Sequence, residues 1–413
     1  MSGDLKKFVN SKFLRTVSLP LLKQLFARQP ADHQGLDLAI FDKPDDEARQ
    51  ALTSFFMGPE DLLPRGLVAD LHHIAELGTL HGMNLLQNRA ALRGTEITPP
   101  LDTAGKPLPL DPKQFAILAF LRHRDIFDVV SDLMAREARS SLNEYVGLEE
   151  GVEPDLSREQ CDKFELSAKE MFSRNYHGTH CRVGWYDDGP RTILVVNHGA
   201  PVTVQSVVEG EREDVISYRS LEQAVLEYNP GTGRLGIGGV PKARRADLAE
   251  FFAKHILHRP GFFAAEDSQD LYTLEPVEKT GFSFKVRHDF DPLIKNIEIV
   301  EVQIDRFDGT MPIDKAPIEA SVVVKDFRGN ALARVLEFSD RIGLGEGRHR
   351  IGHLTMRVVF RGERRDTAVT VKIKPPAYAI FKRQHFEQNI LDLLRHNGFW
   401  RERQPGEVAA AAD

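Results

Sequence analysis

Apolar positions in the first 170 residues recur at intervals of three and four rather than two, which predicts a helical region. In the opening segment Phe8, Phe13, Leu14, Val17, Leu21, Leu22 and Leu25 form one stripe. Pro20 divides it into a short helix pair, because a proline inside a helix removes a hydrogen bond and clashes with the preceding turn. A second helix is expected from about Leu67 to Arg93, with Gly78 and Gly82 weakening its middle. The proline-rich run of residues 97–113 cannot continue a helix and reads as a strap. Beyond it Phe115, Leu118, Leu121, Ile126, Val129, Val130 and Leu133 restore helical spacing and predict another helix pair.

Near Cys181 the pattern switches. Residues 182–199 read as two short strands joined at Asp188-Gly189-Pro190, and residues 220–239 as a hairpin turning at Asn229-Pro230-Gly231. A helix is expected from about Arg244 to His258. Between Thr273 and Ile373 four segments alternate at period two: Phe282 to Val286, Ile318 to Val324, Leu354 to Phe360 and Val369 to Ile373. Turn-forming residues at Arg328-Gly329-Asn330 and Arg361-Gly362-Glu363 predict hairpin connections, and hence an antiparallel sheet rather than a parallel one. A last helix is expected from about Tyr378 to His396, stopped by Asn397-Gly398.

These elements predict an α+β fold: an N-terminal helical domain followed by a largely antiparallel β-rich region with a C-terminal helix. The expected division is a helical domain at 1–170, an α+β region at 171–272, and an antiparallel region at 273–403 that ends in a basic strand-strand-helix element. Residues 404–413 are expected to be a disordered tail. At 413 residues the chain exceeds the size at which single cores stop growing, and its 28% charged share is that of ordinary globular proteins. Two cysteines, Cys161 and Cys181, are too few for a disulfide framework and suit a reducing compartment. The N-terminal segment lacks the apolar run of a secretory signal, and no stretch is long and apolar enough to span a bilayer. A cytoplasmic protein with no membrane partner is expected.

Motifs narrow the chemistry chiefly by exclusion. Gly231, Gly233 and Gly236 match the GxGxxG dinucleotide fingerprint, but Leu235 and Ile237 alternate as a strand where a nucleotide site needs a helix N-terminus. A hairpin turn is the expected role. His177, His180 and Cys181, with Cys161 and His198 nearby, are zinc-ligand types whose spacing fits no standard finger, and His72 and His73 are adjacent rather than four apart. No GxSxG elbow and no Walker loop occurs. Glu319, Lys325 and Asp326 are the residue types of a metal-dependent nuclease, though such sets arise in almost any sheet. No cofactor is expected.

Charge gives the one positive indication. The whole chain carries a formal −7, yet residues 341–403 hold 14 Lys and Arg against 6 Asp and Glu. Within that segment Arg348, Arg350, Arg357, Arg361, Arg364, Arg365, Lys372, Lys374, Lys382, Arg383 and Arg395 are the candidate nucleic-acid contacts. A solvated basic face, or one docked on acidic surface, is the plain alternative. The leading expectation is a non-catalytic nucleic-acid-binding or adaptor component of a multi-protein, bacterial-type system, with a protein partner or self-association through the helical region. The alternatives are a metal-dependent hydrolase or nuclease built on His177, His180 and Cys181, and a purely structural assembly subunit.

Overall fold

The structure, a computed structural model, describes residues 8, 10–28, 36–57, 65–99, 110–137, 142–174, 178–189, 191–209, 212–308, 316–327, 329–337, 348–362, 365–382 and 386–401. The fold is α+β, with helices first, then antiparallel sheets and a closing helix. The chain forms two compact units, residues 1–135 with 202–219 and residues 136–201 with 220–413.

The first unit opens with α1 (Ser11–Thr16) and α2 (Leu19–Ala27). Pro20 sits in the first turn of α2, where a missing N–H costs nothing, so the division falls at Val17-Ser18. After a 3₁₀ turn (Leu38–Asp42) come α3 (Asp45–Met57), α4 (Arg65–Leu77) and α5 (Leu80–Leu92). The helix expected over 67–93 is therefore two. Thr79 caps α5 by accepting the Gly82 N–H at 3.1 Å, and a Cβ on Gly82 would lie 2.3 Å from the Leu77 carbonyl oxygen, so this tight turn requires glycine. An Asp111–Gln114 capping box starts α6 (Pro112–Arg122), whose residues Phe115 to Leu121 are all buried because α2, α4 and α5 surround it. The unit's core gathers Phe8, Leu22, Phe26, Phe56, Leu71 and Leu118. The next helix, α7 (Arg124–Glu137), runs across the boundary between the units. Of the expected strap, residues 100–109 lie outside the described residues, as does the expected tail.

The second unit begins with β1 (Asn143–Val146), four residues too short to show a period, inside the stretch expected to be helical. It is followed by α8 (Arg158–Ser173), β2 (Cys181–Asp188) and β3 (Arg191–Gly199). Next in the chain comes a two-stranded ribbon that belongs to the first unit, β4 (Thr203–Glu209) and β5 (Arg212–Tyr218). The second unit resumes with β6 (Leu221–Asn229), β7 (Arg234–Gly238) and α9 (Lys242–Phe251), which continues as a π turn over Phe252–Ile256. The first sheet has the order β1-β7-β6-β3-β2 and buries Leu194, Leu226, Tyr228 and Leu235 against α8 and the π turn. Between β6 and β7 the expected turn is present, with Gly233 at φ +58°, and Gly236 lies inside β7 rather than at a helix start.

The second sheet follows α10 (Glu275–Lys279). It comprises β8 (Ile294–Phe307), β9 (Ile318–Lys325), β10 (His349–Phe360), β11 (Thr367–Lys374) and β12 (Tyr378–Ile380), in the order β12-β11-β10-β8-β9. In chain order α11 (Ala331–Glu337) stands between β9 and β10, and α12 (Glu387–His396) closes the fold. Three expectations are corrected. Phe282 to Val286 is irregular, with Phe282 at φ +67°, and the missing strand is β8, whose bulged pairing with β10 breaks the period-two pattern. Asn330 starts α11 by accepting the Leu332 N–H at 2.9 Å, and β8 lies between β9 and β10 in the sheet, so β9 and β10 are not a hairpin pair; Arg328 lies outside the described residues. Tyr378–Ile380 is a strand, and the final helix starts at Glu387, stopping at Gly398 with φ +70°.

Candidate functional site

Leu354, Met356, Val358 and Phe360 of β10 face the core with Ile390, Leu393 and Leu394 of α12, so His353, Thr355 and Arg357 fall on the outer face of the second sheet. Thr355 stands between Glu301 of β8 and Lys372 of β11, and Arg357 between Glu298 and Thr370. Glu301 gathers three partners: His353 Nε2 at 2.6 Å, Lys325 at 2.8 Å and Lys372 at 3.4 Å. The Lys325 hydrogen bond, with help from His353, holds the Glu301 carboxyl down at about 2. Burial pushes the His353 imidazole below its ordinary 6.5, against the pull of Glu301.

The candidate cations thus divide. Arg357 pairs with Glu298 at 3.3 Å and Lys372 with Glu301, both through β8, the strand absent from the sequence expectation. Arg348, Arg361, Arg365, Lys374 and Lys382 are exposed and form no ion pair among the described residues. They are not one strip: Arg361 and Arg365 flank the β10–β11 turn, whereas Arg348 precedes β10 and Lys374 ends β11 at the opposite end of these strands. Lys372, Lys374 and Lys382 lie on or just beyond β11 and β12, with Lys372 opposite Ile380. Arg350 is exposed on β10, opposite Asp305. Arg395 is elsewhere, its guanidinium 4.5 Å from the Trp400 ring centroid. Arg364 and Arg383 lie outside the described residues.

Among the described residues the zinc-type side chains do not assemble into a ligand set. His180 is exposed, Cys181 opens β2 opposite His198, and His198 is buried and stacked on Phe172 at 3.7 Å. Burial pushes the Cys181 thiol up to about 11. Among the described residues no three His, Cys, Asp or Glu stand in metal-binding proximity; His177 lies outside them. Glu319, Lys325 and Asp326 are each engaged separately, with Arg306, Glu301 and Arg334.

A second constellation, absent from the sequence expectations, lies on the face of the first sheet opposite α8. Arg136 donates to both Glu227 oxygens at 2.8 and 3.1 Å and to Glu387 at 2.7 Å, and Arg191 donates to the same two carboxylates at 2.6 and 2.9 Å. All four side chains are at most 12% exposed. Burial works against the Arg136 charge, but the two carboxylates outweigh it and hold its pKa above the ordinary value. Beside this cluster a cavity of about 70 Å³ is lined by Arg191, Glu227, Arg234, Gln388, Arg395 and Trp400, among others. The signal available in the sequence was Glu227, a charge inside the apolar run Ala224 to Tyr228.

No protein-family model matches the chain, and no curated protein matches it. Among the described residues no helix is long and apolar enough to cross a membrane.

Proposed function

We propose that this chain is a non-catalytic nucleic-acid-binding component that contacts the phosphate backbone through Lys372, Lys374 and Lys382, while the helical unit serves a protein partner. The supporting observation is that Lys374 and Lys382 are exposed and carry no carboxylate partner among the described residues, next to Lys372, whose Glu301 contact is long at 3.4 Å. Residues two apart on one strand face stand about 7 Å apart, so Lys372 and Lys374 present adjacent cations to a chain of phosphates. Contact of this kind with the phosphate backbone is independent of base sequence.

The test is fluorescence-anisotropy titration of the full chain with duplex DNA, single-stranded DNA and RNA at two salt concentrations. Binding that weakens with salt is expected, and K372E/K374E/K382E is expected to remove it. Single Lys→Gln changes should each reduce the log–log salt slope on duplex DNA by about 0.9. Unchanged affinity in the folded triple variant would defeat the proposal. Point changes are required because ending the chain near residue 340 would delete β10, β11 and α12 and open the second sheet's core.

A second reading, a subunit held in an assembly by protein contacts, is supported by the β4–β5 ribbon, where Val204, Val208 and Val215 are more than half exposed. Absence of nucleic-acid binding at low salt, together with an oligomer in light scattering, would favour it.

A further inference from the structure

We infer that the cavity beside the buried ion cluster is a binding site for a small oxyanion, the phosphate or carboxylate end of a ligand, with Arg395 as its principal donor. Charge is the first argument. Around the cavity and directly behind it, the described residues place four guanidiniums, Arg136, Arg191, Arg234 and Arg395, against three carboxylates, Glu144, Glu227 and Glu387. Arg136 and Arg191 are satisfied by Glu227 and Glu387. Arg234, only 6% exposed, meets Glu144 at 3.4 Å, and Glu144 also accepts the Tyr272 hydroxyl at 2.7 Å.

That leaves Arg395 as the excess cation. Its guanidinium is half-buried and lies over the ring of Trp400, which also carries Arg234 at 3.2 Å from its centroid and meets Tyr272 edge-on, and it has no hydrogen bond or ion pair among the described residues. Burial depresses the Arg234 pKa and the neighbouring Arg395 charge adds to that, the direction expected where positive charge is short of a counter-charge. An arginine fork is suited to binding carboxylate or phosphate through two parallel hydrogen bonds.

Shape and donor chemistry point the same way. The cavity's size of about 70 Å³ fits a single oxyanion group, not a whole nucleotide. Asn229, Thr232 and Gln388 line it with Arg395, while Leu391 forms an apolar wall. The Thr232 hydroxyl donates to the Asn229 carbonyl at 3.4 Å and one Gln388 amide N–H to Asp392 at 3.0 Å, so the neutral donors are the Asn229 amide and the second Gln388 N–H. The site is separate from the lysines of β11 and β12 and does not rest on the proposed nucleic-acid contact.

Trp400 provides the readout. The chain has two tryptophans, so W185F leaves Trp400 as the sole indole, in the cavity wall. This protein would be titrated with inorganic phosphate and, separately, with acetate at constant ionic strength, following Trp400 emission. A saturable response is expected; a stronger one to phosphate assigns a phosphorylated ligand, and a stronger one to acetate a carboxylate. R395Q should weaken it about tenfold or more, the scale of a charge-assisted hydrogen bond. L391F, which fills the cavity and keeps every charge, should do the same, and carries the test if R395Q fails to fold. K372E/K374E should leave it unchanged. No saturable response to either anion, or a response that survives L391F in folded protein, would overturn the proposal.

Discussion

On the face of the first sheet opposite α8 two arginines and two glutamates are withdrawn almost wholly from water, whereas on the outer face of the second sheet Arg357 and Lys374 remain exposed. Arg136, Arg191, Glu227 and Glu387 form a closed set of short contacts. Arg357 and Glu298 form one exposed pair at 3.3 Å, and Lys374 and Lys382 have no carboxylate among the described residues. The difference lies in what each charge costs. A buried charge is stranded if its partner goes, so the first set holds structure together; a hydrated charge loses little and stays available to a ligand.

The largest effect expected from this contrast is at Glu227. Glu227→Gln leaves Arg136 and Arg191 sharing Glu387, and stability should fall by about 3–5 kcal/mol in urea unfolding. A loss no larger than that of a surface pair would show that water reaches the cluster and would erase the contrast.

An intermediate effect is expected from acid. The Glu301 carboxyl is held near 2, below its ordinary 4.5, so its contribution is complete above about 4.5 and is lost as pH falls toward 2. His353 is also depressed, so the unfolded chain takes up a proton there first and stability begins to fall below its ordinary 6.5. Urea midpoints measured from neutral to acid pH should lose the upper limb of this decline in H353Q and the lower limb in E301Q. Profiles that coincide with the parent would remove the pair from the account.

The smallest effect is expected at Arg357. Arg357→Ala should change stability by about 0–1 kcal/mol, as exposed ion pairs do. A much larger loss would mean that the outer face is structural and would weaken the case for a phosphate-binding surface there.

What the sequence disclosed and concealed follows from locality. The stripe from Phe8 to Leu25, the β6–β7 turn at Gly233 and the stop at Gly398 are each specified within a few neighbouring residues, and they were legible. β8 was not, because register shifts along its pairing with β10 move successive side chains between faces. That omission carried into the candidate site: Glu298 and Glu301, which neutralise Arg357 and Lys372, lie on β8, outside the segment whose charges were counted. The buried cluster joins residues as far apart as Arg136 and Glu387, a distance no local pattern encodes.

The β4–β5 ribbon has a consequence for how the molecule opens. Among the described residues its strands pair only with each other, and most of its described side chains are exposed. Each of its amides is therefore guarded by one neighbouring strand and no core, so these protons should exchange with solvent well before those of β3 and β6. The backbone bond from the Ala200 N–H to the Ser220 carbonyl closes the ladder below it. The ribbon can melt and re-form while β3 and β6 stay paired, so a protease cutting there would leave two fragments still held together by the first sheet.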